Sequence, residues 1–255
     1  MTAGEIYRYI DSFAPFSTQM NFDNCGFQVG DENAAVTLVL LALDITPDVV
    51  REAARRGAQL IISHHPVMFH PLHDLRAGTA PYLLAQNGIA AICAHTNLDL
   101  APGGVNTCLA AGLGLQDVKP LVKEEVSGLP AALVGTLERQ YEPRVFADFV
   151  KRALGCDGLF FADGSRKISV VGLCSGAGSE YIYDAAEYGC QAFVTGEAKH
   201  HELTDARNLG VTLVAAGHYY TEDIVLEPLR ERLQKKFPEV NFQRAESARC
   251  PVEYR

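Results

Sequence analysis

The chain alternates short, unbroken apolar runs with amphipathic stretches of helical period. Residues 36–43, VTLVLLAL, are continuously apolar and rich in β-branched side chains, which predicts a buried strand. Asp44 closes it. Thr46 as N-cap, Pro47 at the first helical position and Asp48 in the first turn predict a helix over 47–56, stopped by Gly57. A strand over 60–63 runs into His64-His65-Pro66, and a helix over 79–87 stops at Gly88. A third strand over 89–94 runs into His95-Thr96-Asn97-Leu98-Asp99. Strand and helix in alternation predict a largely parallel sheet with helices on both faces.

The pattern then returns. Strands are predicted over 168–174, 192–195 and 211–215, helices over 180–188 and 202–208, and a long final helix over 221–236 that ends before Pro238. Residues 240–243 add a further strand. EAARRGAQLIIS (52–63) lies over DAAEYGCQAFVT (184–195) without a gap, and a one-residue gap lays His95-x3-Asp99 over His218-x3-Glu222. The parallel order of elements carries more weight than the shared Ala and Gly. The fold class expected is α/β: two similar lobes with mostly parallel sheets, related by internal duplication. Their expected bounds are 1–125 and 126–255, with the C-terminal helix free to return to the first lobe. At the start of the second lobe, 119–167 holds a strand in LPAALVGTLE and a helix near 143–154.

Composition narrows the class. Hydrophobic residues make up 48% and charged residues 21% of 255 residues, as in folded globular proteins. The formal net charge of −9 argues against a protein that coats nucleic acid, since that binding rests on Lys and Arg against phosphates. It leaves room for a small anionic substrate beside a cation. The seven Cys are widely spaced with no C-x-x-C pair, which speaks for reduced thiols and a cytoplasmic location. The N-terminal MTAGEIYRYID is not patterned as a signal peptide, and no apolar run approaches the roughly 20 residues of a membrane-spanning helix.

The candidate chemistry sits at strand ends. His64, His65, His95 and His218 each follow an apolar strand at once or within two residues, and Asp99 and Glu222 stand just beyond. In open α/β sheets the carboxyl ends of the strands form the ligand crevice. Imidazole and carboxylate without Cys suit Zn, Fe, Mn, Co or Ni. Any one of these residues has an ordinary explanation: a hinge histidine, an acid in a first helical turn, or Asp99 capping a helix that begins near Gly103. Three clusters at successive strand ends are what point to a site. His70, His73, His200 and His201 read as surface residues. The loop Ser175-Gly176-Ala177-Gly178-Ser179 reads as a tight turn, because it lacks the Lys of a phosphate-binding loop.

In order along the chain stand Asn21-Phe22-Asp23-Asn24-Cys25-Gly26-Phe27-Gln28-Val29-Gly30, Ser63-His64-His65-Pro66, His95-Thr96-Asn97-Leu98-Asp99, Thr195-Gly196-Glu197 and Gly217-His218-x3-Glu222. This set resembles the GTP cyclohydrolase 1 type 2 homologue family, also called the NIF-three-like family, over about residues 21–222. The resemblance implies two α/β lobes around a dinuclear metal site between them. It implies two divalent ions held by His64, His65, Asp99, His218 and Glu222, with Glu222 bridging, and His95 close by as an orienting or acid–base group. It also implies a ring-shaped homohexamer. Where the family often has Trp before Asp23, this chain has Phe22. The expected function is a metal-dependent hydrolase acting on a small molecule, GTP among the candidates, with His95 or Glu197 moving protons. The competing function is a non-enzymatic, metal-binding scaffold in ring form.

Overall fold

A computed structural model describes residues 1–255. The elements are α1 (Ala3–Asp11), β1 (Gly26–Val29), β2 (Leu38–Ala42), α2 (Pro47–Arg56), β3 (Leu60–Ser63), α3 (Ala80–Asn87), β4 (Ala90–Cys93), α4 (Thr96–Leu100) and α5 (Val105–Gly112). There follow β5 (Gln116–Lys123), β6 (Pro130–Tyr141), α6 (Pro143–Leu154), β7 (Phe160–Ala162), β8 (Ile168–Leu173), α7 (Ile182–Tyr188) and β9 (Ala192–Thr195). The last are α8 (His200–Leu209), β10 (Thr212–Ala215), α9 (His218–Glu222), α10 (Leu226–Lys236) and β11 (Asn241–Arg244). The chain forms two compact units, residues 1–102 with 226–249, and residues 103–225 with 250–255. No helix is long and apolar enough to cross a membrane.

The first unit holds a five-stranded sheet in the order β1-β4-β3-β2-β11. All neighbours are parallel except β1 against β4. Its central strands are buried on both faces, which is why they read as unbroken apolar runs. The helix start at Thr46 is as the sequence suggests: its hydroxyl accepts from Val49 N at 3.3 Å, and Gly57 ends the helix at φ +71°, a conformation that suits glycine. Helix α1, which hydrophobic patterning left unassigned, starts from a capping box in which Thr2 and Glu5 bond each other's backbone amides.

The second unit holds a six-stranded sheet in the order β5-β6-β8-β9-β10-β7. Only β8, β9 and β10 are mutually parallel; the β5–β6 hairpin and β7 run antiparallel. The predicted helix over 221–236 is broken into α9, a 3-10 turn at Asp223–Val225 and α10. Pro228 supplies the reason: its ring collides with the carbonyl four residues back, so an unbroken helix through Glu222 into this segment is excluded.

Each unit contains the same β-α-β-α-β core, β2 to β4 and β8 to β10, with the three strands in the same spatial order. One device is repeated almost atom for atom. Gln59 Oε1 accepts from Thr37 N (2.8 Å) and Leu38 N (3.1 Å) while Nε2 donates to Gly57 O (2.6 Å). Gln191 Oε1 accepts from Ser169 N (3.1 Å) and Val170 N (2.8 Å) while Nε2 donates to Gly189 O (2.8 Å). The helix-to-strand turn is thereby locked to the start of the preceding strand in both copies. This likeness of hydrogen bonding supports the duplication more strongly than the shared small residues do.

Glu52 on α2 joins the returning C-terminal segment to the first unit. Its buried carboxylate accepts from Arg56 Nη1 (2.6 Å), Glu246 N (3.0 Å), Ser247 N (2.8 Å) and Ser247 Oγ (2.6 Å). Burial pushes its pKa up, but the bonds from Ser247, Glu246 and Arg56 outweigh this and draw it from 4.5 down to about 2. A depressed folded pKa gives stability that is full above 4.5 and lost as pH falls through about 2. Glu52→Gln should therefore cost roughly 1.5–3 kcal/mol at pH 7. In chemical denaturation its deficit against wild type should shrink as pH falls from 4.5 toward 2; a deficit independent of pH would contradict this role.

Candidate metal centre

Parallel pairing of β3 with β4 sets Ser63 beside Cys93, so the residues that follow each strand emerge side by side. His64, His65 and His95 consequently form a cluster in which one ring nitrogen from each lies within 4.8 Å of the others. Their ring centroids are 5.1–5.5 Å apart. Asp99 lies within α4, not at the cap of the next helix; its amide closes a helical turn on His95 O (3.0 Å), and its Oδ1 stands 3.5 Å from His64 Nε2.

Each imidazole is held from behind. His64 Nδ1 is 2.8 Å from Ala94 O, His65 Nδ1 is 2.7 Å from Asp44 Oδ1, and His95 Nδ1 is 2.9 Å from Asp23 Oδ1. A carbonyl or carboxylate oxygen accepts only, which favours the proton on Nδ1 and leaves Nε2 as the lone-pair nitrogen of the neutral ring. Asp23 is itself fixed: its Oδ2 accepts from Thr96 N (3.0 Å), Thr96 Oγ1 and Cys25 Sγ (2.9 Å). Burial raises its pKa, but the bonds from His95, Cys25 and Thr96 win and hold it well below the usual carboxylate range. Asp23 therefore keeps its charge at neutral pH.

The second unit repeats the pattern with different residues. His218 opens α9 after β10, and its Nδ1 is 2.8 Å from Glu197 Oε1. On the same helix face, Glu222 Oε2 is 2.9 Å from His218 Nε2, so this imidazole has a carboxylate in hydrogen-bond range of each nitrogen. The Glu222 side chain is only 5% exposed. Glycines make room for it: a Cβ on Gly176 (φ +58°) would sit 2.2 Å from Glu222 Oε1, and one on Gly196 would sit 2.8 Å from His218 Cα. Glu197, a candidate proton carrier from sequence, thus lies where it orients His218.

The duplicated frame shows how the two sets correspond. Ala94 N bonds Ser63 O as Ala216 N bonds Thr195 O, so His95 corresponds to Gly217 and His218 to Thr96. The one-residue gap between His95-x3-Asp99 and His218-x3-Glu222 is real. The two copies of the frame carry their histidines one position apart.

The sequence pointed to His64, His65, His95, Asp99, His218 and Glu222 but not to Asp23 and Asp44 as partners. Asp44 stood out only as the residue closing β2, and Asp23 only within the Asn21–Gly30 motif. His70, His73, His200 and His201 are exposed. Two amides of the Ser175–Ser179 loop bond within the protein, Ser175 N to Asn106 Oδ1 (2.9 Å) and Gly176 N to Thr221 Oγ1 (3.1 Å).

An imidazole whose Nδ1 proton is given to an oxygen, with Nε2 outward, is the usual arrangement of a metal-ligating histidine and the group that orients it. Imidazoles held in this way, with carboxylates beside them, suit a divalent cation. The Duf34/NIF3 (NGG1p interacting factor 3) description matches residues 1–251. The chain belongs to the Duf34/NIF3 family. Members similar to it include proteins of Clostridium perfringens, 30% identical over all of both chains, and of a Nostoc species, 32% identical over 95% of this chain and 93% of the other. Both are called GTP cyclohydrolase 1 type 2 homolog. Among solved structures, a hypothetical protein of Staphylococcus aureus superposes with a TM-score of 0.93 at 29% identity, covering 100% of this chain and 99% of that one. This Duf34/NIF3 member therefore has groups of His, Asp and Glu able to hold a metal ion.

The close approach at Gly176 is open to test. Gly176→Ala places a methyl group against the Glu222 carboxylate and strains the backbone, so the melting temperature should fall by the equivalent of roughly 1–3 kcal/mol. An unchanged melt would contradict the packing described.

Proposed function

We propose that the protein is a metal-dependent hydrolase that holds two divalent ions through His64, His65, Asp99, His218 and Glu222, with Glu222 shared between them. The observation that carries this reading is the common anchoring of four imidazoles through Nδ1. When bound, such ions would lower the pKa of water to about 7 and polarise an acceptor oxygen on the substrate. His95 is the proton carrier. Asp23 holds its Nδ1 proton, leaving Nε2 to take up and return a proton as water adds. Glu197 is a positioning residue that fixes the orientation of the His218 ring, and Asp44 does the same for His65. The name carried by the relatives supports a nucleotide or related heterocycle as substrate. With GTP, water would add to the imidazole carbon of the purine, with cleavage of one of its C–N bonds.

A homohexameric ring forms part of the proposal. Strand β5 supports it as an exposed strand at the edge of its sheet, available to a second copy.

The test is turnover of GTP and a panel of nucleotides after loading with Zn, Mn, Fe, Co or Ni, followed by chromatography of the products. His64→Ala and Glu222→Ala should lose both metal and activity. His95→Ala should keep its metal and lose about 10²–10⁴-fold in kcat. Asp44→Ala should weaken metal binding by roughly 10–100-fold. Full metal content without turnover of any nucleotide overturns the hydrolase and leaves a metal-holding scaffold.

A further inference from the structure

Beside His95 the first unit has a second feature that metal ligation does not account for. Residues 22–24 and 68–72 enclose a cleft of about 450 Å³, within the range of small-molecule sites. Its walls are Phe22, Phe69, Met68, Pro71 and Leu72, and Asp23 lies among them. Three of these apolar side chains are well exposed: Phe22 61%, Leu72 49% and Phe69 38%. Isolated exposed apolar residues are ordinary, but several in one concavity mark a binding surface.

The cleft is built, not a chance meeting of loops. Met68 O accepts from Asn24 Nδ2 (2.6 Å) and Gln28 Nε2 (3.2 Å). Gln28 Oε1 accepts from Val67 N (2.8 Å) and Met68 N (3.3 Å), and Gln28 Nε2 also donates to Asn24 O (2.7 Å). One side chain from β1 thus ties the two walls to each other. The Phe69 ring lies 6.4 Å from that of Phe22 and 6.3 Å from that of His95, steeply inclined to the latter. The cleft is therefore continuous with the imidazole cluster of the same unit.

We infer that this cleft is a stacking subsite for a planar heteroaromatic ring, with Phe22 and Phe69 as its stacking faces. Exposed phenyl faces bind such rings through stacking and removal of apolar area from water. No Lys or Arg lines the cleft, and its one basic side chain, His70, is offset by Asp23, so the cleft favours the ring of a nucleotide-like ligand over its phosphates. The inference deepens the hydrolase reading and rests on it for the kind of ligand, while its test needs no turnover.

The chain has no Trp, so the fluorescence of 2-aminopurine riboside is readable without protein interference. Full-length protein should quench it saturably through stacking; guanosine should compete and ribose 5-phosphate should not. Phe22→Ala and Phe69→Ala should each weaken binding about 10-fold. Phe22 is exposed enough that its loss leaves the fold intact, and Phe22→Trp should restore binding. Absence of quenching by the wild-type protein, wild-type affinity in both alanine variants, or competition by ribose 5-phosphate equal to that of guanosine would each overturn the inference. Quenching that persists in a protein without turnover removes only the hydrolase; an active hydrolase that does not quench removes only the stacking subsite.

Discussion

An imidazole has two nitrogens, and an oxygen acceptor at one decides what the other can do. In this protein His64, His65, His95 and His218 all give Nδ1 to an oxygen: one backbone carbonyl and three carboxylates. The remaining features of the candidate centre follow from that constraint. It requires Asp44 at the end of β2, Asp23 in the loop before β1 and Glu197 after β9, and it requires Asp23 to stay charged despite burial. Thr96 and Cys25 meet the last requirement by donating to the same carboxylate. The glycines around Glu222 serve a related end in the second unit, where close packing keeps a buried acid against His218.

The frame beneath this chemistry was made twice. The Gln59 and Gln191 clasps, the helix-ending glycines and the ladder from Ser63 to Ala94 and from Thr195 to Ala216 are the same construction. The functional side chains are not. His64 and His65 stand where the second copy has Gly196 and Glu197, and His95 stands where it has Gly217. Duplication preserved the positions at strand ends while the residue types placed there diverged, which is the pattern expected when a scaffold is stable apart from its site.

Much of this was legible in the sequence. Buried parallel strands produce unbroken apolar runs, and Thr46-Pro47 and Gly57 mark a helix by backbone chemistry alone. Histidines directly after such strands pointed to the candidate site. What stayed hidden depends on pairing at a distance. The His95–Asp23 bond spans the register of β1 against β4, and nothing local to Asp23 announces it. The antiparallel β5–β6 hairpin lies in a segment whose exposed strand β5 lacks a clean alternation of apolar and polar residues. The return of β11 to pair with β2 follows from tertiary packing of α10 and the Glu52 bonds. The break before α10 was readable from Pro228, but the helical period of the flanking residues obscured it.

The most direct measurement is the tautomer of each histidine by long-range nitrogen–proton NMR correlation on the metal-free protein, repeated after adding a diamagnetic divalent ion. The account predicts a proton on Nδ1 of His64, His65 and His95 in the metal-free protein, and a metal-induced shift confined to Nε2 of His64, His65 and His218. A proton on Nε2 in the neutral rings of His64, His65 and His95, or metal binding through Nδ1, would contradict it.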